Sequence, residues 1–166
     1  MKNKKKIIII GLVIFLVVCG AAYLLRDRSN NEQFEKDYDV KVPDGVSIMY
    51  LTDENIISEL SLKDKLVFLG LSGSEDTTKA VKVLLKVAQD NGVDKIYYYS
   101  LTDIYMKDDI VEKLVKKIGI DKITTPTLFL VKDKKVSSVE VGYNKDIKTK
   151  YSDIVTEYIM CTTPDC

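Results

Sequence analysis

The sequence predicts an α/β fold, a central mixed sheet flanked by helices, for most of its 166 residues. Two features predict this class. Short apolar runs rich in β-branched and aromatic residues alternate along the chain with segments whose apolar residues recur at helical spacing. The last two predicted strands are separated only by a short polar turn, so an antiparallel hairpin completes a core of parallel strands.

The first predicted elements are three strands with a helix after each of the first two. Ser47–Tyr50 is a short strand, and Thr52 is the predicted N-cap of the helix that follows, because two acidic residues come next. Lys65–Leu71 has the nearly continuous apolar run of a strand that is buried on both faces. Lys95–Leu101 is rich in residues that favour β-structure. The helix between these two strands has an apolar stripe formed by Val81, Leu84, Leu85 and Ala88.

The remaining elements continue the alternation. A helix that ends at Gly119 has an apolar face formed by Ile110, Val111, Leu114, Val115 and Ile118. Thr127–Val131 is a strand, and a polar turn follows it. Val139, Val141 and Tyr143 then alternate with polar or small residues, as in a half-buried antiparallel strand. The apolar face of the last helix comprises Ile147, Tyr151, Ile154, Val155 and Tyr158.

The composition argues against several kinds of chemistry. The chain contains no histidine, which removes Ser-His and Cys-His nucleophile pairs and the commonest metal ligand. Four of the 25 basic residues stand before residue 7, which leaves 21 basic against 25 acidic residues in the rest of the chain. We therefore expect no metal, no cofactor and no surface that binds nucleic acid.

The N-terminal segment predicts a membrane anchor. Residues 7–25 contain no charge, and a helix of this length spans roughly 29 Å, about the thickness of the hydrocarbon core of a bilayer. Four lysines lie within residues 1–6, directly before this apolar run, so the positive-inside rule places residues 1–6 in the cytoplasm. We therefore expect a single-pass protein of the cell membrane with an extracytoplasmic C-terminal domain.

Two alternatives to a retained anchor stay open. Gly20-Ala21-Ala22 offers the small residues that signal-peptide cleavage needs, although the apolar run continues beyond them to Leu25. Cys19 raises the alternative of a lipoprotein, but Val18 is larger than the residue that normally precedes a lipid-modified cysteine.

A polar segment follows the anchor. Residues 26–45 are predicted to form a stalk or linker, because Ser29–Gly45 is polar and ends in the turn sequence Pro43-Asp44-Gly45. The folded domain is expected to comprise residues 46–166.

Two landmarks make this domain resemble the thioredoxin-like superfamily. An apolar strand runs into a short polar turn that opens a long helix, from Leu66 to Ala88, and Thr125-Pro126-Thr127 later begins a strand. In the superfamily this T/V-P-T motif has its proline in cis, facing the active-site turn. The resemblance therefore implies that Pro126 is a cis-proline. The chain is similar to the membrane-anchored bacteriocin transport accessory and thioredoxin-like proteins of Gram-positive bacteria.

The chain departs from the superfamily at the active-site turn. Redox-active members carry Cys-x-x-Cys there, whereas the corresponding segment is Ser74-Glu75-Asp76-Thr77. Hydroxyls cannot form a disulfide, and the helix N-terminus that lowers the pKa of a thiol leaves an alcohol protonated near neutral pH. The resemblance thus implies a degenerate active site and a protein that is not an enzyme at this turn.

Two interpretations of the turn stay open. Ser74 as a helix N-cap, with acidic residues in the first turn, accounts for the segment structurally. Alternatively the turn and the cis-proline form a peptide groove, because in thioredoxin-like proteins the residue before the cis-proline offers its backbone to an extended peptide. The candidate binding residues are Ser72, Gly73, Ser74, Glu75, Asp76, Thr77, Thr125 and Pro126.

Two cysteines lie at the end of the chain. Outside the cytoplasm, Cys161 and Cys166 are expected to form a structural disulfide that holds the end of the last helix. A free or partner-linked pair is one alternative. A redox-active pair is another, because a terminal disulfide is exposed.

Together these features predict a membrane-anchored, non-catalytic interaction module of a surface or secretion system. Its expected partner is another protein or an extended peptide at the cell surface. The alternatives are a thiol-disulfide oxidoreductase that uses the C-terminal cysteines and a structural or immunity-type surface protein.

Overall fold

This computed structural model describes residues 28–102 and 108–162. These residues form a five-stranded sheet with helices on both faces. Residues 28–38 form a helix, α1. The elements after it are β1 (Ser47–Tyr50), α2 (Ile56–Glu59), β2 (Lys65–Gly70), α3 (Glu75–Asp90), β3 (Lys95–Ser100), α4 (Asp108–Ile118), β4 (Thr127–Lys132), β5 (Lys135–Val141) and α5 (Ile147–Thr162). The predicted α/β class is confirmed, and so is the predicted order of elements from β1 to α5; α1 was not predicted.

The sheet is mixed, and its strand order is β1-β3-β2-β4-β5. The first three of these strands are parallel, whereas β4 runs antiparallel to β2 and β5 runs antiparallel to β4. Lys65 pairs with Val131, so the β4–β5 turn lies where the parallel strands begin, at what we call the amino end of the sheet. Leu69 pairs with Thr127, so β4 begins at the opposite, carboxyl end.

Two apolar cores cover the two faces of the sheet. Residues of α1, α3 and α5 pack on the face that carries Phe68 and Leu128. Residues of α2 and α4 pack on the face that carries Val67 and Phe129. Every residue of β2 is buried, because this strand lies at the centre of the sheet between both layers of helices.

Residues 28–45 belong to the folded domain. Phe34 and Tyr38 of α1 are only 1% and 2% exposed and are members of the core beneath α3 and α5. They are four residues apart, so they lie on one face of an otherwise polar helix. The predicted stalk over residues 26–45 is therefore wrong for residues 28–45, because two aromatic side chains are enough to bury one face of this helix.

Polar side chains of α1 also attach it to the sheet. The Asn31 amide donates to the carbonyl of Val46 at 2.9 Å and accepts from the backbone N–H of Ile48 at 2.8 Å. Glu35 Oε1 accepts from the backbone N–H of Val42 at 2.9 Å. These bonds fix α1 beside β1 at the amino end of the sheet.

The short helix α2 begins later than the sequence predicts. Its N-cap is Asn55 rather than Thr52. The side chain of Asn55 accepts a hydrogen bond from the backbone N–H of Thr52 at 2.8 Å, so the intervening residues form a turn before the helix. An asparagine side chain that bonds backbone three residues away favours a turn over an extra helical turn.

A cluster of aromatic rings fills the core beneath α1. The hydroxyls of Tyr38 and Tyr98 are hydrogen-bonded at 2.8 Å, and the Tyr50 hydroxyl donates to Asp37 Oδ2 at 3.0 Å. The rings in contact are Phe34, Tyr38, Tyr50, Phe68 and Tyr98.

These buried phenols predict a loss of stability at alkaline pH. Desolvation raises the pKa of Tyr38 and of Tyr98 above the ordinary value of 10.0. The folded chain keeps both phenols neutral where the unfolded chain releases their protons, so their contribution is complete below about pH 10 and is lost above it. We expect the free energy of unfolding in urea to fall as the pH rises above about 10, and to fall less steeply in the Tyr38→Phe/Tyr98→Phe variant. Lysine deprotonation changes the stability of the unmodified chain and of the double variant equally. Equal slopes of the free energy of unfolding against pH in the two proteins would therefore contradict this prediction.

No helix within residues 28–102 and 108–162 is long and apolar enough to cross a membrane. The predicted anchor, residues 7–25, lies outside the described residues, so the anchor stays a prediction.

Candidate functional site

The predicted turn lies at the carboxyl end of the sheet, between β2 and α3. Ser74 is the N-cap of α3, and its Oγ accepts a hydrogen bond from the backbone N–H of Thr77 at 3.3 Å. Thr78 Oγ1 donates to the carbonyl of Ser74 at 3.0 Å. Glu75 and Asp76 lie exposed in the first turn, where the positive end of the helix dipole favours negative charge. The predicted capping role of Ser74 is confirmed.

Helix α1 holds the beginning of this turn. Ser72 Oγ donates to the carbonyl of Asp37 at 3.0 Å. The neighbouring Tyr38 hydroxyl packs directly on Gly70, the last residue of β2, where there is no room for a Cβ. Gly73 has a φ of 81°, a conformation that glycine adopts without strain.

The second half of the predicted groove lies directly before β4. The peptide bond between Thr125 and Pro126 is cis, which is the isomer that the T-P-T motif implies. Thr127 Oγ1 donates to the carbonyl of Thr124 at 2.8 Å, and the Pro126 carbonyl accepts from the backbone N–H of Gly142 at 2.7 Å. These bonds fix the chain on both sides of Thr125.

The strand register brings the two halves to one edge of the sheet. Leu69 of β2 pairs with Thr127 of β4. The chain enters the turn, residues 72–77, three residues after Leu69, and Thr125 lies two residues before Thr127. Because β2 and β4 are antiparallel neighbours, both segments emerge from the carboxyl end of the sheet side by side.

Thr125 has backbone groups that the fold does not use. It is half-buried, and its N–H and C=O form no hydrogen bond within the described part of the chain. The buried hydroxyls of Thr77 and Thr124, one from each segment, likewise have no partner among residues 28–102 and 108–162. Buried polar groups without a partner are uncommon in folded proteins. The Thr77 hydroxyl is fully buried, whereas Thr125 is half-buried, so the backbone of Thr125 is the candidate for pairing with a ligand backbone.

An apolar flank that the sequence pattern did not predict borders this edge. Val141 pairs with Thr127 across the β4–β5 ladder, and Val141 and Tyr143 are 38% and 39% exposed. Val141 and Thr124 line a shallow cavity of about 350 Å³. The Tyr143 ring lies 5.9 Å from Lys79 Nζ, so it reaches from the end of β5 towards α3. A ligand at this edge would meet exposed apolar surface beside the unused backbone groups.

Lys79 connects Tyr143 to the first turn of α3. Its Nζ lies 2.6 Å from Glu75 Oε1. The hydrogen bond and charge of Lys79 lower the pKa of Glu75, and those of Glu75 raise the pKa of Lys79. The four-residue spacing of Glu75 and Lys79 in a helix predicts their contact from the sequence. The contact of Lys79 with Tyr143 could not be predicted in this way, because the two residues are distant along the chain.

Cys161 is far from this edge. It is half-buried in α5, and Tyr158, less than one turn before it, lies close to Asp94 and Lys95 at the amino end of the sheet. Cys166 lies outside the described residues, so the disulfide between the two cysteines stays a prediction. The thiol of Cys161 is therefore at the opposite end of the sheet from the turn.

Comparison with solved structures decides the fold. Thioredoxin from Aeropyrum pernix is similar in structure, with a TM-score of 0.50 and 18% sequence identity, over 70% of this chain and 90% of that one. The chain has a thioredoxin-like fold. Thioredoxin f2 of Chlamydomonas reinhardtii is also similar, with a TM-score of 0.46 and 13% identity, over 71% of this chain and 99% of that one. At 18% identity the likeness to the Aeropyrum pernix protein establishes the thioredoxin-like fold alone.

Sequence comparison gives one partial match. The chain is 34% identical over 83 residues to 2,3-bisphosphoglycerate-independent phosphoglycerate mutase of Clostridium kluyveri. This match covers 43% of the chain but only 16% of the length of that protein, so the activity of the mutase is not assigned to the chain. No protein-family model matches the chain.

The turn between β2 and α3 carries the hydroxyls of Ser74 and Thr77 and no thiol. The Ser74 hydroxyl is used to cap α3, and Thr77 is fully buried. The site therefore offers a helix N-terminus, unpaired backbone at Thr125 and an apolar flank, but no thiolate at the turn.

Proposed function

We propose that this chain is a membrane-anchored protein whose thioredoxin-like domain binds an extended segment of another protein without thiol chemistry. In this proposal residues 7–25 are the anchor, residues 1–6 lie in the cytoplasm and the domain lies outside the membrane. The charge-free run of residues 7–25 and the lysines before it support the anchor and its orientation.

The observation that carries the proposal is the unpaired backbone of Thr125. An extended peptide that lies antiparallel or parallel to Thr125 would satisfy its N–H and C=O, which is how strand addition supplies affinity. Val141 and Tyr143 beside it would receive an apolar side chain of the peptide. The candidate groove thus combines backbone pairing with a side-chain contact for selectivity.

The chemistry of the turn supports a non-catalytic role. An alcohol at a helix N-terminus stays protonated near neutral pH, and the chain has no histidine that would act as its general base. Ser74 Oγ is already the acceptor of the capping bond. Binding without bond exchange is therefore the function that this arrangement favours.

We extend the proposal to an accessory role in a surface or secretion system. This part rests on the resemblance to membrane-anchored bacteriocin transport accessory proteins. A peptide groove on a domain that is tethered to the membrane would suit the capture of a chain that is being exported. A structural or immunity-type role, in contrast, would need no peptide binding.

Peptide selection tests the groove. The full chain in detergent is screened against random linear peptides, and the affinity of an enriched peptide is measured by fluorescence polarisation. Ser74→Asp keeps a good N-cap residue and adds a carboxylate to the groove, and Thr125→Asp adds one on the other side. We expect each variant to weaken binding about tenfold or more, equivalent to at least about 1.4 kcal/mol.

Leu62→Asp is the matched control, because Leu62 is exposed and precedes β2 at the amino end of the sheet. It should leave the affinity unchanged, and thermal melts should show that all three variants fold. If the two groove variants bind as well as the control, or if no peptide is enriched, the groove proposal fails.

A turnover assay separates this proposal from the thiol-disulfide alternative. The full chain should not accelerate the reduction of insulin by dithiothreitol. Acceleration that disappears in Cys161→Ser would show that the C-terminal cysteines are the functional group and would replace the non-catalytic proposal.

A further inference from the structure

A pocket with an apolar floor and a rim of lysines lies next to the β4–β5 turn. Its volume is about 540 Å³. The floor consists of Ile57 of α2, Ile118 of α4 and Val136 of β5. The rim consists of Lys113, Lys116, Lys117, Lys134 and Lys135, and no acidic side chain lines the pocket.

Four of these lysines have no carboxylate partner. Lys116, Lys117, Lys134 and Lys135 form no ion pair with any residue in the described ranges, whereas Lys113 pairs with Asp109 at 3.2 Å. Lys117 Nζ instead donates to Ser61 Oγ at 3.2 Å and to the carbonyl of Lys134 at 3.1 Å. The negative end of the α4 dipole accounts for a lysine in its last turn. The α4 dipole does not account for Lys134 and Lys135 at the β4–β5 turn. The rim therefore concentrates positive charge on one part of the surface, although the chain as a whole has zero net charge.

An exposed leucine lies at the same end of the domain. Leu62 is 57% exposed, in the loop that leads into β2. Asp64 Oδ1 of this loop accepts a hydrogen bond from the backbone N–H of Asp133 at 2.9 Å, so the loop lies against the β4–β5 turn. An apolar side chain beside lysines is the combination found on surfaces that enter the headgroup region of a membrane.

The described chain begins at this end as well. Arg28 lines a cavity together with Ser47, the first residue of β1, so α1 begins at the amino end of the sheet. Helix α1 ends at the carboxyl end of the sheet, where the carbonyl of Asp37 accepts a hydrogen bond from Ser72 Oγ. The predicted anchor ends at Leu25, three residues before Arg28, and three extended residues span at most about 11 Å. The proposed anchor therefore keeps the amino end close to the bilayer.

We propose that the amino end of the sheet docks on anionic phospholipid headgroups. The rim lysines contact the headgroup phosphates, and Leu62 enters the interface. This inference rests on the anchor proposed above and adds a lipid contact of the domain itself. Docking would orient the peptide groove, at the opposite end of the sheet, away from the membrane and towards its partners.

The absence of tryptophan in the chain allows a site-specific test. Leu62→Trp and Tyr143→Trp each place a single tryptophan at an exposed position, one at each end of the sheet, and its emission is excited apart from that of the tyrosines. Each full-length variant is reconstituted into vesicles of acyl-brominated phosphatidylcholine, with or without phosphatidylglycerol, and bromine quenching is measured. We expect quenching at position 62 to be strong only with the anionic lipid, and quenching at position 143 to be weak in both.

Replacement of the lysines separates docking from mere tethering. Each lysine near an anionic surface strengthens association about fivefold. Lys116→Gln/Lys134→Gln/Lys135→Gln in the Leu62→Trp background should therefore reduce quenching to the level in neutral vesicles. These side chains are at the surface, and circular dichroism checks that the variant is folded.

The outcomes that overturn the two proposals differ. Release of the full chain from the vesicles by alkaline carbonate would overturn the anchor and, with it, the docking. Retention with equal quenching at position 62 in anionic and neutral vesicles, or with quenching that survives the lysine replacements, would overturn the docking alone. Stronger quenching at position 143 than at position 62 would overturn the orientation.

Discussion

Phe34→Ala is expected to lower the free energy of unfolding by about 3–5 kcal/mol, as measured by urea denaturation of the full chain in detergent. The Phe34 ring is almost completely buried and lies 4.9 Å from the Tyr38 ring and 5.0 Å from the Tyr98 ring, centroid to centroid. Its truncation removes both ring contacts and leaves a cavity between α1 and the sheet. The expected loss is a large share of the 5–15 kcal/mol by which domains of this size are usually stable.

Lys36→Ala is the control on the same helix. Lys36 is exposed, two residues from Phe34, so its replacement should change the stability by no more than about 0.5 kcal/mol. A segment that only spaced the domain from the membrane would tolerate both replacements equally. A Phe34→Ala variant as stable as the control would therefore show that α1 is not part of the folded unit.

The sequence predicted the elements whose apolar pattern is long. The buried run of β2 and the apolar stripes of α3 and α4 each contain several apolar residues at a fixed period, which is the strongest local signal of secondary structure. Helix α1 has only Phe34 and Tyr38 on its buried face. Because its other residues are polar, the apolar pattern is too short to predict a packed helix. Its partners in the core, such as Tyr98, are distant along the chain, so only the tertiary structure reveals the match.

The candidate site likewise has features that could be predicted from the sequence and features that could not. The capping role of Ser74 was predictable, because an N-cap depends on residues within one turn of the helix. The resemblance also implied that Thr125 offers its backbone to a peptide. The position of Tyr143 near Lys79 was not predictable, because it depends on how β5 is placed beside α3. A peptide groove is a property of that placement, which no sequence window contains.

Gly70→Ala is expected to destabilise the domain by about 1–3 kcal/mol. A Cβ at this position would overlap the Tyr38 hydroxyl and lie 3.0 Å from ring carbons of both Phe68 and Tyr98. None of these groups has free space to move into, because all three side chains are buried in one aromatic cluster. The measurement is again urea denaturation of the full chain.

A double-mutant cycle identifies the contact responsible. Tyr38→Phe removes the oxygen that the new Cβ would meet. By itself it costs about 1 kcal/mol, because it removes the hydrogen bond between the buried hydroxyls of Tyr38 and Tyr98. Once that oxygen is absent, Gly70→Ala should cost less, so the double variant should be more stable than the sum of the single losses by over about 0.5 kcal/mol. Additive losses would contradict direct contact between α1 and the end of β2. Coupling would show that α1 supports the strand that leads into the turn at Ser72. The proposed groove and the helix that follows the proposed anchor would then be parts of one packed unit.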